Sequence, residues 1–453
     1  MPLDDIKASR LEKLKKLRQA GTDPYPAKSW RTHAIKQALE GFDDFVANKD
    51  RLVLVGRVMA KREHGGSTFF DIEDGSGRIQ VLFKKDIVGE REYQVLGETV
   101  DIGDFVEVFG LLFKTQRGER TLEAEKYRLL SKSLLPLPEK WHGLQDVEER
   151  YRKRYLDMIM NPEVREKFIK RAQIIQTLRD FLIEHQFLEV QTPTLQPLYG
   201  GASARPFKTH MYALDMDLFL RIAPELYLKR LLVGGFERVF EFTTNFRNEG
   251  MDREHNPEFS AVEWYAAYKD YNWSMELIED LMVTLDPVRF KKPFKRLTYA
   301  ELMQDRAGVD VHDVDPAKLD EVFKEKIRGS LIDPTFVYEF PKSMFPLAKL
   351  KDGSDDTVEV FQFYTGGLEL VKAFTELNDP GDQRERLASQ ENMRAKGDEE
   401  AQRMDDDYIE AMEYGMPPNS GVGIGLDRLI ALLTDSHSIR EVILFPLMKP
   451  NKD

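Results

Sequence analysis

Cysteine is absent from all 453 residues, which excludes disulfides, thiolate zinc sites and cysteine nucleophiles. No apolar run approaches the ~18 uninterrupted residues that a membrane span requires. The first residues, MPLDDIKASRLEKLKKLRQ, are charged and lack the apolar segment of a secretory leader, so a reducing cytoplasm is the expected compartment. Internal repeats and low-complexity tracts are missing as well. So is any excess of positive charge. The formal net charge is −13, from 79 acidic and 66 basic residues, which argues against a general nucleic-acid coat protein but leaves room for one local basic face.

What is present describes a folded, globular chain: 42% apolar and 11% aromatic residues. Its length predicts two domains. Residues 3–20 form a predicted helix with Ile6, Leu11, Leu14 and Leu17 near one stripe and six basic residues against three acidic. Gly21, Pro24 and Pro26 end it. Such a helix can touch RNA phosphates, or it can be an ordinary surface helix. From 52 to 130 the pattern turns to β, with turn signals at Asp74-Gly75-Ser76-Gly77 and Gln116-Arg117-Gly118. Five short alternating strands suit a small closed barrel such as an OB-fold. On its open face Phe69 can stack on a base and Gln80 can read one, with Lys61, Arg62, Lys84 and Lys114 near phosphates. The plain alternative places Phe69 or Phe70 in the barrel core. Residues 134–144, LLPLPEKWHGL, read as a linker, and the basic 149–159 segment can lie against RNA or against a second subunit.

The second half centres on 239–271, predicted as two strands joined by a charged loop. In the first, Phe240, Phe242 and Phe246 share a parity. In the second, Phe259, Ala261, Glu263 and Tyr265 share a face, which sets a carboxylate and a phenol among apolar residues. An unpaired buried charge is expensive, so Glu263 is a candidate for function. Arg247 and Glu249 close the first strand, while His255 and Asn256 open the second. A guanidinium bridges phosphate or carboxylate oxygens bidentately. The ring of Phe259 can stack on a base, an interaction worth ~1–3 kcal/mol. A solvated hairpin with chance charges is the bland alternative.

Around this hairpin stand a long predicted helix at 162–186, with Phe168, Ala172, Ile175, Leu178 and Leu182 on its stripe, and a strand, LEVQTPTL, punctuated by Pro193. The small residues of GGASARPF (200–207) allow a ligand close to the backbone. Trp273 to Leu285 reads as a polar-faced helix, and 286–356 carries no recognisable chemistry. In 361–379, FQFYTGGLELVKAFTELND, a regular strand would set Glu369, Val371, Ala373 and Thr375 on one side and Lys372, Phe374 and Glu376 on the other. GVGIGLDRLIALL then runs from a glycine-rich strand into a helix with Arg428 in its first turn.

FRNEG (246–250) and HNPEF (255–259) resemble motif 2 of the class II aminoacyl-tRNA synthetases. The helix and proline-ended strand resemble motif 1, the dimer element, and GVGIGLDR with SHSIREVILFP resembles motif 3. The barrel resembles the anticodon-binding domain of subclass IIb. A lysine substrate needs carboxylates for its ammonium, and Glu225, Glu263 and Glu376 end three elements that would converge in this fold. GGASARPF, RIAPELYLKRLLVGGFERVFE and TDSHSIREVILFP resemble the lysyl-tRNA synthetase family closely, with only 286–356 loosely matched.

The resemblance implies an α+β chain with four parts. These are a helical extension (1–50), an OB-fold anticodon-binding domain (51–133), a linker (134–160) and a class II catalytic domain with an antiparallel sheet flanked by helices (161–453). It implies a homodimer acting on L-lysine, ATP and tRNA(Lys), with Mg2+, and no membrane association. Arg247 would hold the α-phosphate and the substrate carboxylate, Phe259 the adenine, and Arg428 the γ-phosphate. Glu249, His255 and Asn256 would line the ATP site, and Glu369 would bind magnesium. Glu225, Tyr265 and Glu376 would take the ε-ammonium, Gly201 and Glu263 the α-amino group, and Phe374 would pack on the methylene stem. Phe69 and Gln80 would contact anticodon bases. Two departures stand out: Lys372 replaces an asparagine and Gln362 a metal-binding glutamate that many members carry.

Overall fold

The computed structural model describes residues 2–138, 144, 146–397 and 400–450; of the expected linker, 139–143 and 145 lie outside the described residues. The chain divides into two compact units, Met1–Gly143 and Leu144–Asp453.

In the first unit, strands β1 (Arg51–His64), β2 (Ser67–Glu73), β3 (Arg78–Lys84), β4 (Phe105–Lys114) and β5 (Arg120–Ser131) form a closed barrel in the order β1-β2-β3-β5-β4. Closure comes from the parallel β3–β5 pairing. Alternation decides what is inside: Leu52, Leu54, Phe70, Ile72, Val81 and Phe83 fill the core. Phe69 is half-buried on the outer face, so the ring in the core is that of Phe70. The first helix, Leu3–Gln19, buries Leu14 and Leu17 but leaves Leu11 exposed, and its third buried residue is Arg10. That guanidinium donates to the carbonyls of Ile102, Ser133 and Leu135. A buried cation satisfied by three carbonyls is a docking device. The basic helix therefore spends one of its charges on the barrel itself.

The second unit is built on eleven strands among the described residues. They are β6 (Leu188–Glu189), β7 (Leu195–Gln196), β8 (Lys208–Met211), β9 (Met216–Leu220), β10 (Arg238–Phe246), β11 (Glu258–Ala267), β12 (Lys295–Thr298), β13 (Thr335–Pro341), β14 (Thr357–Thr365), β15 (Leu368–Thr375) and β16 (Asn419–Gly425). Eight of them form one sheet in the order β12-β13-β14-β15-β16-β11-β10-β6, antiparallel except for β6/β10 and β12/β13. The other three form a small sheet, β7-β9-β8. One face of the large sheet is apolar: Phe240, Val262, Trp264, Ala373, Val422 and Ile424 join one core with residues of the helices Pro162–Glu184 and Tyr271–Leu285. Burial of this kind contributes about 25 cal/mol per Å² and holds the sheet while its other face stays free for chemistry.

Three local readings are corrected. In Pro162–Glu184 the buried stripe is Ile174, Leu178, Phe181 and Leu182, while Ala172 is exposed. The motif 1 strand pairs over two residues only, Leu188 and Glu189 with Val239 and Phe240. Finally, β15 is not regular. Phe363 pairs with Val371 but Tyr364 pairs with Glu369, so Leu370 is an extra residue. A bulge reverses the facing of what precedes it. Glu369 therefore shares the face of Lys372 and Phe374 and not that of Val371.

Candidate active site

The free face of the sheet is floored by β15, β16, β11 and β10. In β16 the glycines Gly421, Gly423 and Gly425 alternate with Val422 and Ile424, which are in the core. GVGIG is therefore a strand with one bare face and not a phosphate loop. The bareness is needed at Gly421: a Cβ there would lie 2.1 Å from Oε1 of Glu376 and 2.3 Å from the Tyr265 ring. Gly421→Ala is expected to destabilise the fold by about 1–3 kcal/mol through this overpacking. Thermal unfolding of the variant checks it.

Above this floor lies a cavity of about 670 Å³, within the range of small-ligand sites. Of the residues singled out from sequence, it is lined by Gly201, Glu225, Arg247, Glu249, His255, Asn256, Phe259, Glu263, Tyr265, Gln362, Glu369, Lys372, Phe374 and Arg428. Glu376 lies just behind the wall, fully buried under Gly421 and Tyr265. Phe69 and Gln80 belong to the other unit.

One end of the cavity is acidic. Glu263 lies directly across the ladder from Glu241, and facing carboxylates repel. Glu241 is satisfied, since its Oε2 accepts from the Thr192 backbone at 3.1 Å and hydroxyl at 2.7 Å, and Arg221 pairs with Oε1. Glu263 is favoured only by the charge of Arg247 and a hydrogen bond from the Asn245 side chain among the described residues. Burial, reinforced by the charge of Glu225, pushes its carboxyl up to about 8, with Arg247 opposing. Glu225 opens the helix Glu225–Val233, and Gly201 sits against it: a Cβ on Gly201 (φ +83°) would lie 2.8 Å from that of Glu225. Oε1 of Glu225 accepts from Lys229 Nζ at 2.6 Å, and Lys229 also pairs with Glu376.

The other end is cationic. Arg247 leaves β10 with its guanidinium carbon 5.1 Å from the Phe259 ring centre. Its Nε is buried without a hydrogen-bond partner among the described residues, and Nη2 makes only a 3.5 Å contact with the Ile222 carbonyl. Orphaned donors of a buried guanidinium are a receptor for an anion. Arg428 donates to the carbonyls of Glu254 at 3.3 Å and Glu369 at 3.2 Å, and contacts His255 Nε2 at 2.9 Å. Since His255 Nδ1 meets Asp252 at 2.8 Å, the network assigns its proton to Nδ1, leaving Nε2 as acceptor. The acceptors that Arg428 contacts through Nε and both Nη atoms are thus uncharged. Asp427 fixes the geometry: it accepts from Arg171 at 2.8 Å and from the Ser260 backbone at 2.8 Å, tying the helix Leu426–Leu433 to β11.

Several lining residues were not legible in the sequence. Asp320, Phe323 and Lys324, and Ser343 through Leu347, come from the stretch read as uninformative. Their type and spacing match no motif, and only the β12–β14 pairing carries them to the cavity.

A magnesium ion accompanying a nucleotide needs one or two carboxylates besides phosphate oxygens and water. Glu369 meets that demand. Gln362 is nearly buried, and its Oε1 accepts from the Tyr364 hydroxyl at 2.7 Å. Among the described residues no group of three or more His, Asp or Glu is arranged as a metal cage.

On the barrel, Phe69 pairs across the ladder with Arg62 and Leu82, and Gln80 with Asp71 and Thr121. Arg62 and Arg78 both pair with Asp71, and Gln80 Oε1 accepts from Thr121 at 3.0 Å. The face thus combines a ring, an amide and basic groups.

An antiparallel sheet with a glycine-floored cavity, acidic at one end and cationic at the other, defines the class. Residues 146–449 match the family of class II tRNA synthetases for D, K and N, and residues 52–130 match the OB-fold nucleic-acid-binding domain. The chain is 49% identical to a lysine–tRNA ligase of Carboxydothermus hydrogenoformans, over 99% of both chains. It is 47% identical to that of Pelotomaculum thermopropionicum, over 99% of this chain and 96% of the relative. With the Clostridium novyi enzyme of the same name the identity is 46%, over 98% and 94%. The chain belongs to the lysine–tRNA ligase family.

Proposed function

We propose that the protein activates L-lysine with ATP to lysyl-adenylate and transfers the lysyl group to the 3′ end of tRNA(Lys). The observation that carries this reading is the polarity of one cavity, with Glu225, Glu263 and Glu376 gathered at one end and Arg247 and Arg428 at the other. Glu225, Tyr265 and Glu376 receive the ε-ammonium, and Phe374 packs on the stem. Glu263 and Gly201 take the α-amino group. The lysine carboxylate, drawn by Arg247 and Lys372, attacks the α-phosphorus in line and expels pyrophosphate. Arg247 and Arg428 stabilise the charge, and Phe259 stacks on the adenine between Glu249, His255 and Asn256. Glu369 would hold Mg2+, which supplies charge neutralisation on the phosphates when bound. Most of the rate comes from positioning and fixed charge.

Charging of tRNA with labelled lysine tests the reading, and labelled tRNA absent at saturating enzyme would refute it. Phe69→Ala is expected to raise KM for tRNA by about 5- to 150-fold, as loss of ~1–3 kcal/mol of stacking implies. Lysine-dependent pyrophosphate exchange should be unchanged in that variant; a parallel loss of exchange would contradict an anticodon role.

The raised carboxyl of Glu263 adds a pH dependence. With its folded pKa above the unfolded one, it favours folding most below about 4.5, and that contribution is lost as pH rises through about 8. A bound α-ammonium ionises it, so lysine binding is expected to release protons at neutral pH. Affinity should tighten by up to ~10-fold per pH unit as pH approaches 8. Calorimetry in two buffers of different ionisation enthalpy measures the release, and none at pH 7 would contradict the assignment.

The exposed apolar side chains of Ile169, Ile183 and Leu188 support a homodimer through the motif 1 elements. No helix among the described residues is long and apolar enough to cross a membrane. With no cysteine to oxidise, a cytoplasmic site of action fits the chain.

A further inference from the structure

Lys229 lies one turn after Glu225 on the helix Glu225–Val233, and residues four apart share a helix face. It is fully buried and does not line the cavity. Its ammonium is 2.6 Å from Glu225 and paired with Glu376, 5.6 Å from the Phe374 ring and 6.0 Å from that of Tyr265. Burial alone would strip its proton, but the two carboxylates outweigh burial and hold it charged. Conversely, burial drives Glu376 toward its neutral form, and Lys229 is the strongest opposing influence. Glu376 Oε1 has no hydrogen-bond partner among the described residues and faces Gly421 in the cavity wall. Packing alone does not ask for an ammonium here, because an apolar side chain of the same length would fill the space without the desolvation penalty.

We propose that Lys229 is a positioning residue that sets the charge of the amino-acid pocket. With Glu225 and Glu376 it forms a fixed carboxylate–ammonium–carboxylate unit. Two carboxylates against one ammonium leave a single negative charge, matched to one substrate ammonium. The unit also opposes the burial that drives Glu376 toward its neutral form, and leaves Oε1 of Glu376 available toward the cavity wall. The proposal rests on the lysine-activating reading above and deepens it: selection for a monocation comes from three residues, one of which never touches substrate.

Without Lys229 the two carboxylates would face each other in a dry space and one would take up a proton. The groups facing the ammonium are Glu225 on its own helix, Tyr265 from β11, Glu376 beyond β15, and Tyr408 from the helix Asp406–Glu413, while Glu263 of β11 acts on Glu376. Glu263 titrates in either protein, so the informative quantity is the difference between the two pH profiles.

Lysine-dependent ATP–pyrophosphate exchange is measured from pH 6 to 9 for the wild-type protein, Lys229→Met and Lys229→Gln, with thermal melts to verify folding. Lys229→Met is expected to raise KM for lysine at least ~30-fold at pH 7, with KM for ATP little changed. That KM should fall with rising pH more steeply than in the wild type. Lys229→Gln, which retains hydrogen bonding without charge, should not restore it, and carries the test alone if Lys229→Met does not fold. A KM for lysine that is unchanged or lower, a rise independent of pH, or wild-type KM in Lys229→Gln would each overturn the proposal. Wild-type protein that fails to exchange with lysine would instead refute the underlying reading.

Discussion

Arg247→Gln should slow lysyl-adenylate formation by about 10²–10³-fold, the range for removing one preorganised donor from a developing anion. Glutamine keeps some reach and polarity but loses the fork that spans two oxygens at once. Arg247 is poised for this role because little in the protein uses it: its Nε is buried and unpartnered, and its recorded hydrogen bond is long. Burial lowers the pKa of the guanidinium, and Glu249 and Glu263 oppose the shift. Removing the cation should therefore also leave Glu249 and Glu369 less compensated where phosphate must enter, and Glu263 less compensated in the amino-acid pocket. The loss should fall mainly on kcat, with a smaller rise in KM for ATP, because the charge on the α-phosphate grows toward the transition state. Presteady-state adenylate formation separates the two. A variant that raises KM for ATP with kcat intact would make Arg247 a simple binding residue.

The second large effect concerns the opposite end of the cavity. Glu376→Gln is expected to cost lysine recognition about 30-fold or more, in keeping with the 2–5 kcal/mol lost when one partner of a buried charge pair is truncated. The amide preserves shape under Gly421, and Lys229 keeps Glu225 as a partner, so the fold should survive. What disappears is the negative charge left over for the substrate. KM for ATP should hardly move, since Arg247 and Arg428 lie at the other end. Equal losses for lysine and ATP in steady-state exchange would contradict the placement of Glu376 in the lysine pocket.

How much of the site is legible in the sequence depends on whether local spacing or distant pairing decides each residue. Phe259, Glu263 and Tyr265 share a face because a regular strand alternates, and β11 is regular from Glu258 to Ala267. Arg428 in the first turn of a helix follows from a glycine strand running into DRLIALL. Glu369 was misplaced because a bulge at Leu370 is invisible to a rule of alternation. Lys229 is not legible because a lysine in an amphipathic helix ordinarily reaches solvent, and only the packing of Glu376 against it shows otherwise. Asp427 and the lining residues from 320 to 347 belong to the same kind: each is positioned by partners far away in sequence. For the fold itself, the five-stranded barrel was legible from alternation and turn signals. The two-residue β6 was not, because it depends on what lies next to it.

The central claim is that acidic side chains gather around a cationic amino acid while two guanidiniums steady a triphosphate beside it. ATP–pyrophosphate exchange measured separately with lysine, aspartate and asparagine tests it most directly. Exchange with lysine and none above background with the other two is the predicted result. Exchange driven by aspartate or asparagine would contradict the reading of the pocket, and no exchange with any amino acid would contradict the reading of the whole site.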